Sequence, residues 1–483
     1  MAFPPFYRPD PQFLQLKGAF ADAVAPARFP KAQNRFFNAR WAAAIGLEGL
    51  GEAEREAHFA RFEPLPGNLP VPLALRYHGH QFRVYNPQLG DGRGFLFAQL
   101  RDCHGRLLDL ATKGSGRTPW SRTADGRLTL KGAVREVLAA SMLEAQGVDS
   151  SKAFAVFETG EELQRGDEPS PTRSAVLTRL GHSHIRFGTF QRLAYLGLHE
   201  DMRELLQYCL ANYFPVLAGL APNEQPGAFL FAVMRASAAL AAGWMAAGFV
   251  HGVLNTDNLV ITGESFDYGP WRFLPHSDPG FVAAYFDHAG LYAFGRQPEA
   301  VGWNLAQLAG ALSAIAPMEA LTPALEAYGP AYSAALIAAV HQRLGLTSLG
   351  NAQKDGEFLS QLFTWMGQSR AGWAQTFHDW FCGEASAGRA ALSPQAGLYG
   401  MPEFAELRRA IAARTPLRPE RLAHLYFARA RPADLVIETV EALWAPIAEA
   451  DDWATFHACL AEIEAMRTGL DLQPEARLRQ EGA

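Results

Sequence analysis

Apolar positions along this 483-residue chain change their spacing near residue 188. Before that point, short apolar runs alternate with turn residues. In FLFAQLRDCHGRLLDLATKG (95–114) two such runs flank a turn at Asp102–Gly105, which predicts a β-hairpin. LKGAVREVLAASMLEAQGV (130–148) carries apolar residues three and four apart, a helix that Gly147 ends. SKAFAVFETG (151–160) and SAVLTRL (174–180) predict further strands. Beyond residue 188 the helical spacing takes over, with helices expected over 190–198, 202–219, 227–248, 301–315 and 331–343. A short strand–loop–strand, VHGVLNTDNLVITGESFDYGP (250–270), lies among them. Residues 1–70 are rich in proline and aromatics and only weakly periodic, as an extension packed on the main body would be. The last 80 residues are Ala-, Arg- and Glu-rich and predict helices with a polar tail.

Composition narrows the class. Hydrophobic residues are 49% and charged residues 19%, which is globular rather than disordered. At roughly 150 residues per domain the length suggests two or three units. The net charge of −6 gives no basic field for non-specific nucleic-acid binding, so nucleic acid is not expected as a partner. Cys103, Cys209, Cys382 and Cys459 are far apart with no CxxC pair, which reads as reduced thiols in a cytoplasmic protein. The N-terminal MAFPPFYRPD lacks the pattern of a signal peptide. The most apolar stretch, Ala228–Val250, is interrupted by Arg235 and reads as a buried helix, so no membrane is expected.

The chemistry concentrates in HGVLNTDN (251–258) and the DYG (267–269) that follows. His251 and Asn258 stand seven apart, and Asp267 comes nine residues later across an apolar, strand-like LVITG. That is the spacing of a protein-kinase catalytic loop and its metal-binding Asp. Asn258 and Asp267 offer hard oxygens suited to Mg²⁺ on phosphates. The position of the kinase base is Val253, which cannot accept a proton, while Asp257 stands beside Asn258. Either the site is inert, or Asp257 is the base of a differently placed reaction.

Three further groups agree with a nucleotide site. Lys113 ends a predicted strand, and Glu136 lies 23 residues on in the predicted helix, the order of a kinase Lys–Glu pair. LGDGRG (89–94) puts three glycines before Lys113, a loop whose backbone can approach phosphate. Arg179 and Arg186 frame TRLGHSHIRFGTF (178–190), and guanidinium forks suit phosphate oxygens. Two HxH pairs, His78–His80 and His182–His184, read as hydrogen-bonding residues rather than metal ligands.

LGDGRG, TKGSGRTPWSR, DGRLTLKGAVRE, SHIRFGTF, HGVLNTDN, DYGPW and GWNLAQLAGAL (302–312) together resemble the selenoprotein O family of protein adenylyltransferases, over roughly residues 70–315. The resemblance implies an α+β, bilobal, protein-kinase-like fold with a β-rich N-lobe and a helical C-lobe. The corresponding division is an extension at 1–70, an N-lobe at 71–187, a C-lobe at 188–400 and a divergent helical region at 401–483. It also implies an ATP reversed relative to kinases, with AMP passing to Ser, Thr or Tyr hydroxyls of proteins. On that reading Gly90, Gly92, Arg93, Lys113, Asp125, Gly126, Arg179, Arg186 and Asp267 hold the nucleotide, and Glu136 pairs with Lys113. Asn258 and Asp267 hold Mg²⁺, and Asp257 is the base. Mn²⁺ with other nucleotides such as UTP is a family-level extension. Many members end in a Cys or selenocysteine, whereas this chain ends RLRQEGA. The rival readings are a kinase that moves the γ-phosphate, disfavoured by Val253, and a nucleotide-binding scaffold, disfavoured by the retained Asn258 and Asp267.

Overall fold

The computed structural model describes residues 6–166 and 168–472. Its first half is built on one eight-stranded antiparallel sheet. Across the sheet the strands run Ala21–Ala23, Leu73–Leu75, Leu96–Arg101, Leu107–Lys113, Thr172–Gly181, Lys152–Leu163 and Gln33–Phe37, with Leu128–Thr129 pairing off Thr172–Gly181. The N-terminal segment therefore supplies both edge strands. It also covers one face, where Trp41, Ile45, Phe59 and Phe62 pack on Phe95, Phe97, Leu110 and Phe154. The other face meets the helix Leu130–Ala145 and the helical half. Cover on both faces explains why Leu107–Lys113 is buried along its whole length and reads as a continuous apolar run.

Register sets up the site. Lys113 lies opposite Leu177, and Ala111 opposite Arg179. Opposed residues share a face, as do residues two apart on one strand, so Lys113 and Arg179 are diagonal neighbours on the helix-facing side. The helix Leu130–Ala145 starts where Thr129 accepts from Gly132 N–H (3.1 Å). It stops before Gly147, whose φ of +75° suits a left-handed cap.

The second half is helical, as the periodicity predicts, with shifted ends. The helix expected at 202–219 runs His199–Tyr213, and Pro215–Gly219 is a separate 3₁₀ turn that starts with Pro215. The helix expected at 331–343 extends back to Met318 and accommodates Pro323 and Pro330 in its interior, which the sequence reading had kept out of it. The helix Gln225–Ala247 is long and apolar enough to cross a membrane, yet 67% of its apolar window is buried in the protein core. The chain leaves it through Gly248 (φ +68°) into a two-residue strand, Phe249–Val250, paired with Arg272–Phe273. The strand expected at LVITG is absent: Val260 makes one isolated bridge, to Arg186, and the rest is turn. The last two helices, Ile437–Ala450 and Ala454–Leu470, return to the sheet-bearing half. Lys131 pairs with Glu441 (2.7 Å), and Arg35 and Arg173 both reach Asp451 (2.9 and 2.6 Å). The four cysteines are free thiols.

Candidate active site

Two strands, one helix and two loops converge on Asp267. Lys113, at the end of its strand, pairs with Glu136 from the helix and with Asp267 Oδ1 at 2.7 Å. Arg179 Nη1 lies 3.3 Å from the same oxygen, and Arg186 Nη1 lies 3.9 Å from Oδ2. Burial alone would raise the Asp267 pKa, but the charges of Lys113, Arg179, Arg186 and Arg93 hold it well below the usual carboxylate range. Asp267 adopts a left-handed backbone (φ +62°), a conformation that Asp tolerates better than most residues. Its side chain keeps 23% exposure, so the cluster opens to solvent at this carboxylate.

The loop 251–258 is tied down around it. His251 is buried and held neutral by that burial; its Nε2 contacts the Phe266 carbonyl (2.9 Å), fixing this loop to the DYG segment. Its backbone N–H donates to Gln297 (2.9 Å), and Asn304 donates to the Leu254 carbonyl (2.8 Å). Both partners lie on the helix Gln297–Leu312, which contains the whole GWNLAQLAGAL motif. Asn258 donates through Nδ2 to the Val253 carbonyl (3.0 Å), which leaves its Oδ1 as a ligand oxygen. Asn258 and Asp267 are two hard donors, the number Mg²⁺ commonly takes from protein when phosphates and water complete its shell. The residues present fit that ion.

Asp257 differs from every other carboxylate here. Its residue is 8% exposed, and Oδ1 is buried with no hydrogen-bond partner among the described residues. Burial raises its pKa to about 6 against the pull of Arg186. Arg186 donates through Nη1 to the Asp257 main-chain carbonyl (2.6 Å) and lies 3.3 Å through Nη2 from Asp91. Its guanidinium is flanked by the rings of Tyr77 (4.4 Å) and Phe266 (4.8 Å).

The glycine loop sits beside this cluster, and its glycines are required by packing. A Cβ on Gly90 would stand 2.4 Å from the Trp120 ring, one on Gly92 2.9 Å from the Trp120 carbonyl, and one on Gly94 2.1 Å from the Thr112 carbonyl. Thr118 donates to the Asp91 carbonyl (2.6 Å) and Ser121 to that of Gly92, so the TPWS stretch clasps the loop. Arg93 is exposed, and its carbonyl accepts from Gly114 N–H (2.7 Å), next to Lys113. Asp125 stands apart from the cluster and pairs with Arg165 (2.8 Å). Gly126 (φ +73°) abuts Gly116 in the loop after Lys113.

The structure thus brings together Lys113, Glu136, Arg179, Arg186, Asp257 and Asp267, with Asn258 next to Asp257, and leaves Asp125 outside their contacts. Sequence reasoning missed Asp91, Tyr77 and Phe266, which hold Arg186. It also missed the hairpin Gly79–Gln81/Val84–Asn86, which clasps the loop from outside. There His80 N–H donates to Thr256 (2.7 Å) and Phe82 N–H to Asn255 (3.0 Å). Asp91 was in view, inside LGDGRG, but its partner Arg186 lies 95 residues away. His78 and His80 bond Tyr85 and Gln191 (2.8 Å each).

Residues 6–464 match the family described as protein adenylyltransferase SelO. A protein nucleotidyltransferase YdiU from a Synechocystis species is 41% identical over 472 residues, covering 94% of this chain and 97% of the relative. Proteins of the same name from Gloeobacter violaceus and Synechococcus elongatus are 42% and 40% identical, covering 94% and 93% of this chain and 94% of each relative.

Proposed function

This chain belongs to the SelO family of protein adenylyltransferases, and from that premise we propose that it transfers AMP from ATP to Ser, Thr or Tyr hydroxyls of other proteins, releasing pyrophosphate. The observation that carries the reading is Asp257: a buried carboxylate oxygen without a hydrogen-bond partner among the described residues, on a clamped loop that Arg186 ties to the cation cluster around Asp267, while Val253 occupies the kinase base position.

In this reading Lys113, Arg179 and Arg186 neutralise the phosphates, and Glu136 keeps Lys113 in place. Asn258 and Asp267 hold Mg²⁺, which, when bound, offsets phosphate charge as a Lewis acid. Mn²⁺ suits the same oxygens and would widen nucleotide choice towards UTP. Gly90, Gly92 and Arg93 present backbone and guanidinium to the nucleotide, and Asp125 and Gly126 line its outer edge. The acceptor hydroxyl attacks the α-phosphorus, the bond to the β-phosphate oxygen breaks, and the hydroxyl proton passes to Asp257. Catalysis is then largely positioning and electrostatics.

We take the lobes to divide near residue 187, between Arg186 and the helix Phe187–Tyr195. Of the region 401–483, the helices Ile437–Ala450 and Ala454–Leu470 back the sheet-bearing lobe. Free thiols and a buried apolar helix suit a cytoplasmic enzyme that uses neither membrane nor nucleic acid. Intact-mass analysis of candidate protein substrates after incubation with ATP and Mg²⁺ tests the proposal. A gain of one AMP supports it, and a gain of phosphate alone sinks it.

A further inference from the structure

Away from the active site, the buried Arg343 has no carboxylate partner among the described residues. Arg343 ends the helix Met318–Arg343 and is 6% exposed. It makes no hydrogen bond or ion pair with any described residue, and its Nε and Nη1 are both buried. Its guanidinium lies 4.9 Å from the Phe377 ring. Burial lowers its pKa to about 10, so it remains a cation at neutral pH.

The surrounding charges do not balance it. Arg343, Arg389 and Arg429 all act on Tyr426. Arg429 pairs with Glu462 (2.6 Å). Arg389 feels the charge of Asp379 and bonds that residue's carbonyl (3.3 Å) and His378 Nδ1 (3.0 Å). Among the described residues these three guanidiniums share two carboxylates, and Arg343 is the one left without a partner. Water can satisfy N–H donors, but it does not cancel a buried charge, and an unpaired buried ion is strongly unfavourable.

Arg343 lines a small cleft with Gln146, Phe377, His378, Tyr426 and Met466. The cleft, about 300 Å³ with its mouth included, leaves about 10 Å³ in which the centre of a water-sized sphere can move, enough for one small occupant. Gln146 caps the Glu136 helix, and its buried Oε1 also lacks a partner. Turning that amide over presents N–H to the cleft instead, since the two amide orientations are interchangeable assignments. We infer that Arg343 and Gln146 form a binding site for one small inorganic anion of the chloride class, seated at the seam between the helical half and the end of the Glu136 helix.

The test uses the full chain and reads folding and ion binding, so its failure leaves the proposed transfer reaction untouched. Thermal unfolding is followed at constant ionic strength while chloride replaces gluconate. The wild-type midpoint rises by a few degrees and saturates, because an anion that binds only the folded state stabilises it. Arg343→Met shows no chloride response, and in gluconate it melts above wild type. Equal chloride responses in the two proteins overturn the site. Should Arg343→Met not fold, chlorine-35 line broadening decides: wild type gives excess broadening, and Arg343→Gln abolishes most of it. No excess broadening in wild type, or the same broadening in Arg343→Gln, overturns the inference.

Discussion

At the scale of single residues, two buried carboxyl groups have opposite consequences. Asp257 Oδ1 has no hydrogen-bond partner among the described residues, and Arg186 donates to the main-chain carbonyl of Asp257, which any residue there would supply. Asp257→Ala should therefore keep the fold and ATP affinity while transfer falls on the order of 10²–10⁴-fold, the range of a lost general base. Equilibrium ATP binding and single-turnover rates measured on the same variant separate the two; a variant that transfers at wild-type rate refutes the assignment. Glu264 is buried where it accepts from His182 N–H (2.6 Å), and burial raises its pKa from 4.5 to about 7. It is protonated in the fold and ionised in the unfolded chain across that window, so stability falls as pH rises through it. Denaturant midpoints at about pH 5 and about pH 8 should differ less in Glu264→Gln than in wild type. A variant with the wild-type pH slope would assign the titration elsewhere. The residues legible in the sequence were those with unusual chemistry at a fixed local spacing: Asn258, Asp267, the Lys113–Glu136 pair. Asp91, Tyr77 and Phe266 are ordinary residues whose importance lies in all touching Arg186, a contact that no local pattern announces.

At the scale of elements, the hairpin 95–114 and the helix 130–145 follow from their period and punctuation, because each is closed by its own turn residues. LVITG misled because a short apolar run suits a buried loop as well as a strand: Leu259, Val260 and Ile261 fill the core without a ladder partner. The edge strands Ala21–Ala23 and Gln33–Phe37 were illegible for the converse reason, being short and half-exposed with little alternation to show. The hairpin Gly79–Asn86 gives an element-level test of how the loop is held. A Cβ at Gly79 would lie 3.0 Å from Asp257 Oδ1 and 3.1 Å from Thr256 Oγ1. Gly79→Val should push the catalytic loop out of place, costing at least about tenfold in transfer, since small misplacements of reacting groups are expensive. Thermal unfolding should change less than transfer does, because the hairpin is a separate two-stranded sheet outside the main one. Unchanged kinetics in a folded variant would show that the hairpin does not position Asp257.

At the scale of the whole molecule, the sheet-bearing half delivers the cations, the helical half delivers Asp257, Asn258 and Asp267, and the site exists only where they meet. Lys113 and Arg179 are aligned by strand register, whereas Asp257 is aligned by the helix Gln297–Leu312 and the hairpin at 79–86. In the proposed reading this division lets a kinase-like frame carry another reaction: the cation and metal positions are kept while the proton acceptor moves from the Val253 position to Asp257. The measurement that tests this most directly follows separate labels in the α- and γ-phosphates of ATP onto a protein acceptor. The account predicts α-label on protein and γ-label in released pyrophosphate, with the α-label lost in Asp257→Ala. Label from the γ-phosphate on protein, without α-label, would contradict it and make this chain a kinase.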